Sequence, residues 1–414
     1  MKKRLTAVAA ATMVLGGTLL AGCGSGDKSD DKSITLAVWG SSPAEITALD
    51  NTIDSFTKET GIKVEKEVIQ DKYMDVMKAR FSAKNAPDVF YVDSFELPAL
   101  AESGVLLDQS ETLKDQDDFY KPLLDAFKGS DGKIYGAPKD YSTLALYVNT
   151  EMLEKAGFKT SDIPETMDEF FEFTKKVQAK LPDGQAAMLL EKDLSRNLDA
   201  FDALGADVVT GEGKANFSSD KKVEQYLAKV VENKKAGVFA FPKDDLGSDS
   251  AIAAFGSGKA VMMIDGNWSL GAFAQDFPDL KFSTHELPTI NGKNHTMTFT
   301  VGYAVNKQTE NKDNAIEFVN YMTNEGQEQW AKGSGTLPTR ASVAEKMDLT
   351  NDKYKASHVA GAEYATVWSR GTTLPIINTS FGNHFQAVMN GQAKLADALK
   401  AIDKEANDEI ARQQ

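Results

Sequence analysis

Side chains that could do chemistry are unevenly supplied. The chain holds 61 Asp and Glu against 46 Lys and Arg, with a single cysteine and four histidines. One cysteine permits neither an internal disulfide nor a thiolate zinc site. The histidines at 285, 295, 358 and 384 lack the H-x-x-x-H spacing that sets two ligands on one helix face. The stretch Ala254 to Ala260 imitates the tail of a phosphate loop. Its first glycine is missing, and Ala260 stands where a Ser or Thr would hold magnesium. Gly211-Glu212-Gly213 fails as a dinucleotide fingerprint because Asn216 occupies the third glycine's place. No G-x-S-x-G nucleophile elbow occurs. Carboxylate pairs of the glycosidase kind stay open, since among so many acids only geometry separates working pairs from solvated ones.

Other candidates draw their interest from the elements that hold them. Ile34 to Trp39 is a β-type run, and Ser42-Pro43-Ala44-Glu45 reads as a capping box with proline at the first helical position. Ile46, Leu49, Ile53 and Phe56 then recur at the helical period until Gly61. An alternating strand runs to Ile69, a second helix carries Tyr73, Val76, Met77 and Phe81, and Asp88 to Val92 is a short apolar strand. This βαβαβ order predicts an α/β fold with a parallel sheet covered by helices. Ligands on such sheets bind where the strands' carboxyl ends open into loops. Trp39 and Asp93 sit at two such ends. The buried run Ala260 to Ile264 delivers Asp265-Gly266-Asn267-Trp268 to another. Farther on, Ser142 to Val148 reads as a strand. Thr150 and Thr166 read as helix caps, and 220–236 and 394–412 as helices.

At 414 residues the chain is long enough for two or three domains at roughly 100–200 residues each. Its net charge of −15 argues against nucleic acid as a partner. Met1-Lys2-Lys3-Arg4 followed by the apolar run Leu5 to Leu20 has the layout of a secretory signal, and the run is short for a membrane span. Leu20-Ala21-Gly22-Cys23 looks like a bacterial lipobox, in which the cysteine thiol is acylated; an ordinary signal before an incidental cysteine is the plainer alternative. The expectation is a signal peptide over 1–22 and a flexible Gly/Ser/Asp/Lys tether over 23–33. The protein would then be lipid-anchored through Cys23 on the extracellular face of the cytoplasmic membrane. Loss of the signal removes three cations and no acid, taking the charge from −15 to −18.

Several segments together resemble the extracellular solute-binding proteins of carbohydrate ABC transporters, the maltose and multiple-sugar-binding group. They are the lipobox with its tether, ITLAVWG, YGAPKDYSTLALYVNTEMLEKAGF followed by PETMDEF, and AVMMIDGNWSLGAF. VGYAVNK, NAIEFVNYMTNEGQEQWAK and SGTLPTR agree. Met167 departs from the tryptophan frequent in the family at that structural position. The resemblance implies two discontinuous α/β lobes joined by hinge strands, closing on a sugar. Crossings fall near Asp140-Tyr141, Thr300-Val301-Gly302 and Gly335-Thr336-Leu337. The first lobe would be 34–140 with 302–334, and the second 141–301 with 335–410. It further implies no cofactor, no metal and no catalysis, a monomer, and permease subunits as partners.

A neutral pyranose has apolar C–H faces and a ring of hydroxyls, so its site needs an aromatic plane and fixed polar groups. Trp268 matches a sugar-stacking position of the family and Trp39 a cleft position, with a core role as the alternative for each. Asp93 and Asp140 would accept hydroxyl protons unless they are ordinary loop acids. Tyr141 and Tyr303 flank crossings and serve either ligand or hinge packing. Asp193, Arg196 and Asn197 match a stretch with cleft contacts in relatives, a plain surface loop being the favoured alternative. Trp368 and Arg370 fall where subsites for longer sugars form, with core packing or a surface ion pair as the equal alternative, while Trp330 reads as packing. Only five arginines follow the signal, which favours a neutral mono- or oligosaccharide over an anion. The rival readings are a secreted glycan-degrading enzyme and a receptor for another solute, such as a polyamine, glycerol phosphate or a metal complex.

Overall fold

A computed structural model of the protein describes residues 32–41, 43–70 and 72–413; Cys23, the whole signal segment and the Ser42 cap lie outside the described residues. Ten strands follow in order: β1 (Ser33–Trp39), β2 (Lys63–Ile69), β3 (Val89–Asp93), β4 (Ala137–Asn149), β5 (Ala186–Leu189), β6 (Phe239–Ala240), β7 (Ala260–Gly266), β8 (Phe282–His285), β9 (Met297–Val305) and β10 (Thr366–Val367). Their spatial order is β2-β1-β3-β9-β4-β7-β5-β6, with β8 also on β4 and β10 on β9. The opening βαβαβ unit forms as its periodicity predicts. β2 and β3 flank β1 in parallel, and the helix Pro43–Thr60 buries Ala48, Leu49, Thr52, Ile53 and Phe56. Gly61, at φ +76°, ends that helix in a conformation most side chains resist.

Beyond that parallel unit the sheet is mixed. β9 runs antiparallel to β3 and β4, and β4 antiparallel to β7 and β8. β4 also begins earlier than Ser142, at Ala137, because its first half pairs with β9 and its second half with β7. One cap is corrected. Asn149, not Thr150, caps the helix Thr150–Lys155, its side chain accepting from the Met152 N–H at 3.0 Å. Thr166 caps Met167–Gln178 as expected, accepting from the Glu169 N–H at 3.4 Å.

The apolar side chains gather on either side of the β4/β9 pair. One core takes Leu36, Phe56, Phe90, Phe127, Phe318 and Trp330; another takes Leu146, Phe170, Phe201, Phe217, Val261 and Phe381. These are the interiors of two α/β lobes. A smaller cluster joins Leu123 and Tyr141 to Leu337, Leu349, Val359 and Ala362 at the crossing. The segment from 335, expected with the second lobe, packs against this crossing at its start. Its start is fastened to first-lobe backbone by Arg340, whose side chain is fully buried. Nη1 and Nη2 donate to the Asp115 and Lys114 carbonyls at 2.7 and 2.9 Å, and Nε donates to Thr323 O. The guanidinium also lies over the Phe119 ring, 3.9 Å from its centre. The segment's later part packs through His358, which is wholly buried. Its Nδ1 is 2.8 Å from the Thr143 carbonyl, which only accepts, so Nδ1 carries the proton and Nε2 faces Tyr147 Oη at 2.9 Å.

Two stability outcomes follow from these buried groups. Arg340→Met strands three carbonyls that arginine satisfies, and should cost about 3 kcal/mol, read as a lower denaturation midpoint with little change in far-UV dichroism. Burial pushes the His358 pKa down to about 4 from 6.5. The unfolded chain then takes up the proton first, so this contribution is complete above about pH 6.5 and is lost as pH falls towards 4. The loss amounts to about 3 kcal/mol. Melting temperature should drop more steeply between about pH 7 and pH 5 in the parent than in His358→Asn, and equal slopes would contradict the assignment.

Candidate functional site

Three strand ends and the middle of the β4/β9 pair meet at a cleft of about 800 Å³. β1 delivers Trp39, β3 delivers Asp93, Ser94 and Phe95, and the end of β7 delivers Asn267 and Trp268. The crossing strands add Lys139, Asp140, Tyr141, Ser142, Phe299, Thr300 and Val301. Both lobes thus contribute walls, and the crossing strands form the floor. Carboxyl ends of parallel strands leave room for ligands because their loops are freed from the sheet's hydrogen bonding.

Trp268 is the one exposed large apolar side chain among the described residues, at 43%. Its placement is built from below. Gly266 has to lack a side chain, because a Cβ there would come within 2.2 Å of the Trp268 ring. Asp265 is buried and holds the turn, its Oδ1 accepting from the Gly266 N–H and its Oδ2 from Ser269 Oγ, each at 2.9 Å. Burial pushes its pKa up, and the nearby Arg196 opposes that. Asn267 shares a hydrogen bond with Ser142 of β4. The indole meets Phe299 edge-on at 5.7 Å, Phe299 meets Trp368 at 6.5 Å, and Trp368 stacks on Phe95 at 5.3 Å with the rings within 4° of parallel. Four rings make one aromatic wall. Opposite, Trp39 packs edge-on against Tyr73 and Tyr91 at 5.3 and 5.2 Å and is half-buried.

The acids on the first-lobe side are constrained. Asp93 Oδ1 accepts from the Glu96 N–H at 2.8 Å, and burial raises its pKa. Asp140 Oδ2 is held by Lys139 Nζ and by the Trp330 indole N–H, the latter at 3.2 Å. Glu45 and Asp276 stand elsewhere on the lining.

Of the expected residues, the structure brings Trp39, Asp93, Asp140, Trp268 and Trp368 to this cleft; Tyr141 borders it, but its ring is buried in the crossing cluster against Tyr120, as hinge packing. Others it places elsewhere. Tyr303 is fully buried against Tyr91 and Phe318 in the first-lobe core. Arg370 pairs with Asp202 away from the lining. Asp193 is exposed, and buried Asn197 spends its amide on the Asp193 carbonyl at 3.0 Å, so both serve the turn Leu194–Arg196. Arg196 backs the wall instead of lining it. Its guanidinium carbon lies 5.7 and 5.6 Å from the Trp268 and Phe299 ring centres, and Nη2 is 3.4 Å from Asp265 Oδ1. Trp330 packs in the core as read, and also anchors Asp140.

Sequence reasoning missed Phe95, Lys139, Ser142, Asn267 and Phe299. Phe95 and Asn267 adjoin residues already singled out at strand ends and were within reach. Phe299 and Lys139 depend on strand pairing that no local pattern reveals. Among the described residues no three metal-ligating side chains gather, and no described helix is long and apolar enough to cross a membrane.

The family model for bacterial extracellular solute-binding proteins matches residues 51–358. The chain is 26% identical to the diacetylchitobiose binding protein of Streptomyces coelicolor, with all of both chains covered. It is 24% identical to a galactooligosaccharide-binding protein of Bacillus subtilis over 74% of this chain and 73% of that one. Its fold superposes on the sugar-binding protein MalE of Xanthomonas citri with a TM-score of 0.81 at 18% identity, covering 92% of this chain and 98% of the other. An ABC substrate-binding protein from Listeria monocytogenes, solved in complex with cycloalternan, gives 0.79 at 22% identity, covering 92% and 100%. The matched region runs through both lobes and the crossing strands, and the chain belongs to the bacterial extracellular solute-binding protein family.

Proposed function

We propose that this protein is the substrate-binding component of an ABC importer, capturing an extracellular oligosaccharide and passing it to membrane permease subunits. The observation that carries the reading is Trp268, a large ring left 43% exposed on a purpose-built turn inside an interlobe cleft. An exposed indole backed by further rings suits the C–H face of a pyranose, and Asp93, Asp140, Ser142 and Asn267 suit its hydroxyls. The volume of about 800 Å³ accommodates more than one sugar ring. Relatives named for diacetylchitobiose and for galactooligosaccharides support the same ligand class.

The mechanism follows from a site divided between lobes. Ligand contacts to both walls favour the closed form, and the permease reads closure. The ligand leaves unchanged, so the protein is a receptor and not a glycan-degrading enzyme. The lobes are 34–140 with 302–334 and 141–301 with most of 363–410, the stretch between packing on the crossing. Lipid on Cys23 holds the mature monomer at the outer face of the cytoplasmic membrane, with 23–33 as tether.

Calorimetry against diacetylchitobiose, galactooligosaccharides, maltotetraose and mannotriose tests the ligand class, with each sugar recovered intact afterwards. Trp268→Ala should weaken the best ligand by about 1–3 kcal/mol, roughly 5–150-fold in Kd, while the apo melting temperature barely moves. Unchanged affinity would remove Trp268 from the site. For the anchor, Cys23→Ser should release the protein into the medium of a Gram-positive host that retains the parent on its membrane; retention of the variant would rule the thiol linkage out.

A further inference from the structure

The aromatic wall and its acids leave one group on the cleft floor unaccounted for. Lys139 lines the cleft yet is only 3% exposed. Its position arises from the backbone. β4 and β9 pair regularly from Thr143↔Thr298 to Asp140↔Val301 and resume at Pro138↔Gly302, so β4 carries one extra residue between them. Such a bulge breaks the alternation of a strand and lets neighbours face the same side. Here those neighbours are Lys139 and Asp140, whose side chains form an ion pair.

The ammonium has further partners. Nζ lies 3.9 Å from the centre of the Trp330 ring and 4.7 Å from that of Tyr91, both within cation–π range. Trp330, on the helix Gln327–Ser334, also donates its indole N–H to Asp140 Oδ2 at 3.2 Å. Two donors therefore converge on Oδ2, while among the described residues no hydrogen bond reaches Oδ1.

We propose that Lys139 is a positioning residue for ligand capture: caged by Trp330 and Tyr91 at the β4 bulge, it fixes the Asp140 carboxylate so that Oδ1 stands ready to accept a ligand hydroxyl. The inference rests on the oligosaccharide reading above. A nearly buried carboxylate without a cation would be costly, and a free one would have to be ordered at each binding event. Lysine suits the place because its compact charge fits between two rings, where a planar guanidinium would need more room. The second donor, Trp330, fixes the carboxylate's rotation as well as its charge.

The test is a double-mutant cycle read by calorimetry, with whichever of the four sugars binds the parent best. Asp140→Asn and Lys139→Met should each raise Kd about tenfold, and the double variant should be no weaker than Asp140→Asn alone by more than about twofold, because Lys139 acts only through Asp140. The double variant should also melt closer to the parent than either single one, since it leaves no lone buried charge. If Lys139→Met fails to fold, Trp330→Phe removes the other donor without stranding a charge. It should cost a few-fold in Kd, an effect that vanishes in the Asp140→Asn background. A Lys139→Met affinity within twofold of the parent, or losses that multiply independently, would overturn the positioning role while leaving sugar binding intact. A parent that binds none of the sugars overturns both.

Discussion

Everything in this fold hangs on the antiparallel pairing of β4 with β9. Thirteen residues of β4 and nine of β9 run through the boundary between the two cores, so one ladder of hydrogen bonds belongs to both lobes. Above the crossing, β9 hands its register to β3; below it, β4 hands its register to β7 and β8. The approach is close at Gly302, where a Cβ would meet the Ala137 carbonyl at 2.8 Å and the Phe127 ring at 2.7 Å. A strand pair this tight resists sliding and tolerates bending, because its hydrogen bonds survive a change of twist but not a change of register. The cleft opens at the middle of that pair, where the two cores end.

The crossing itself is lined by small polar side chains tied to backbone. Thr300 Oγ1 donates to the Asp140 carbonyl at 2.9 Å, Thr298 Oγ1 to Ser142 O at 3.3 Å, and Thr296 Oγ1 to Leu144 O at 2.7 Å. Neutral hydroxyls satisfied locally need no water and bring no charge into the floor, so the acids that remain there stand out chemically. Arg340 and His358 then bind the segment after residue 335 to the same floor from the two sides, Arg340 through first-lobe carbonyls and His358 through Thr143 and Tyr147 of β4.

The elements with strong local signals were legible in the chain. The opening βαβαβ unit, the helix caps at Gly61 and Thr166 and the strand-end positions of Trp39, Asp93 and Trp268 all follow from periodicity and punctuation. The long-range features were not. Tyr303 shows why: in β9 Phe299 and Val301 are partly exposed, and Tyr303 shares their alternation. Farther into the first lobe that face is covered by Phe318 from the helix Lys312–Met322, and the tyrosine becomes core. Lys139 was hidden for the opposite reason. Strict alternation would have turned it away from Asp140, and only the extra residue in the β4 register brings the two together.

The distribution of chemistry between the lobes fits the proposed coupling of ligand binding to closure. Trp268, Phe299 and Trp368, the rings that suit the apolar face of a sugar, pack with the second-lobe core or its end of the crossing strands. Glu45, Asp93 and Asp140, acceptors for hydroxyls, come from the first-lobe side. Trp39 adds a ring to the first-lobe wall and Asn267 an amide beside Trp268, so each wall is weighted towards one half of what a pyranose would present without lacking the other. A ligand resting on the rings leaves most of its hydroxyls to water, and one held by the carboxylates leaves much of its C–H face wet. On the proposed reading, a ligand that engages both walls gains more than one resting on either, and that gain would be the differential affinity that shifts the equilibrium towards closure. A site concentrated on one lobe could bind as tightly and move nothing.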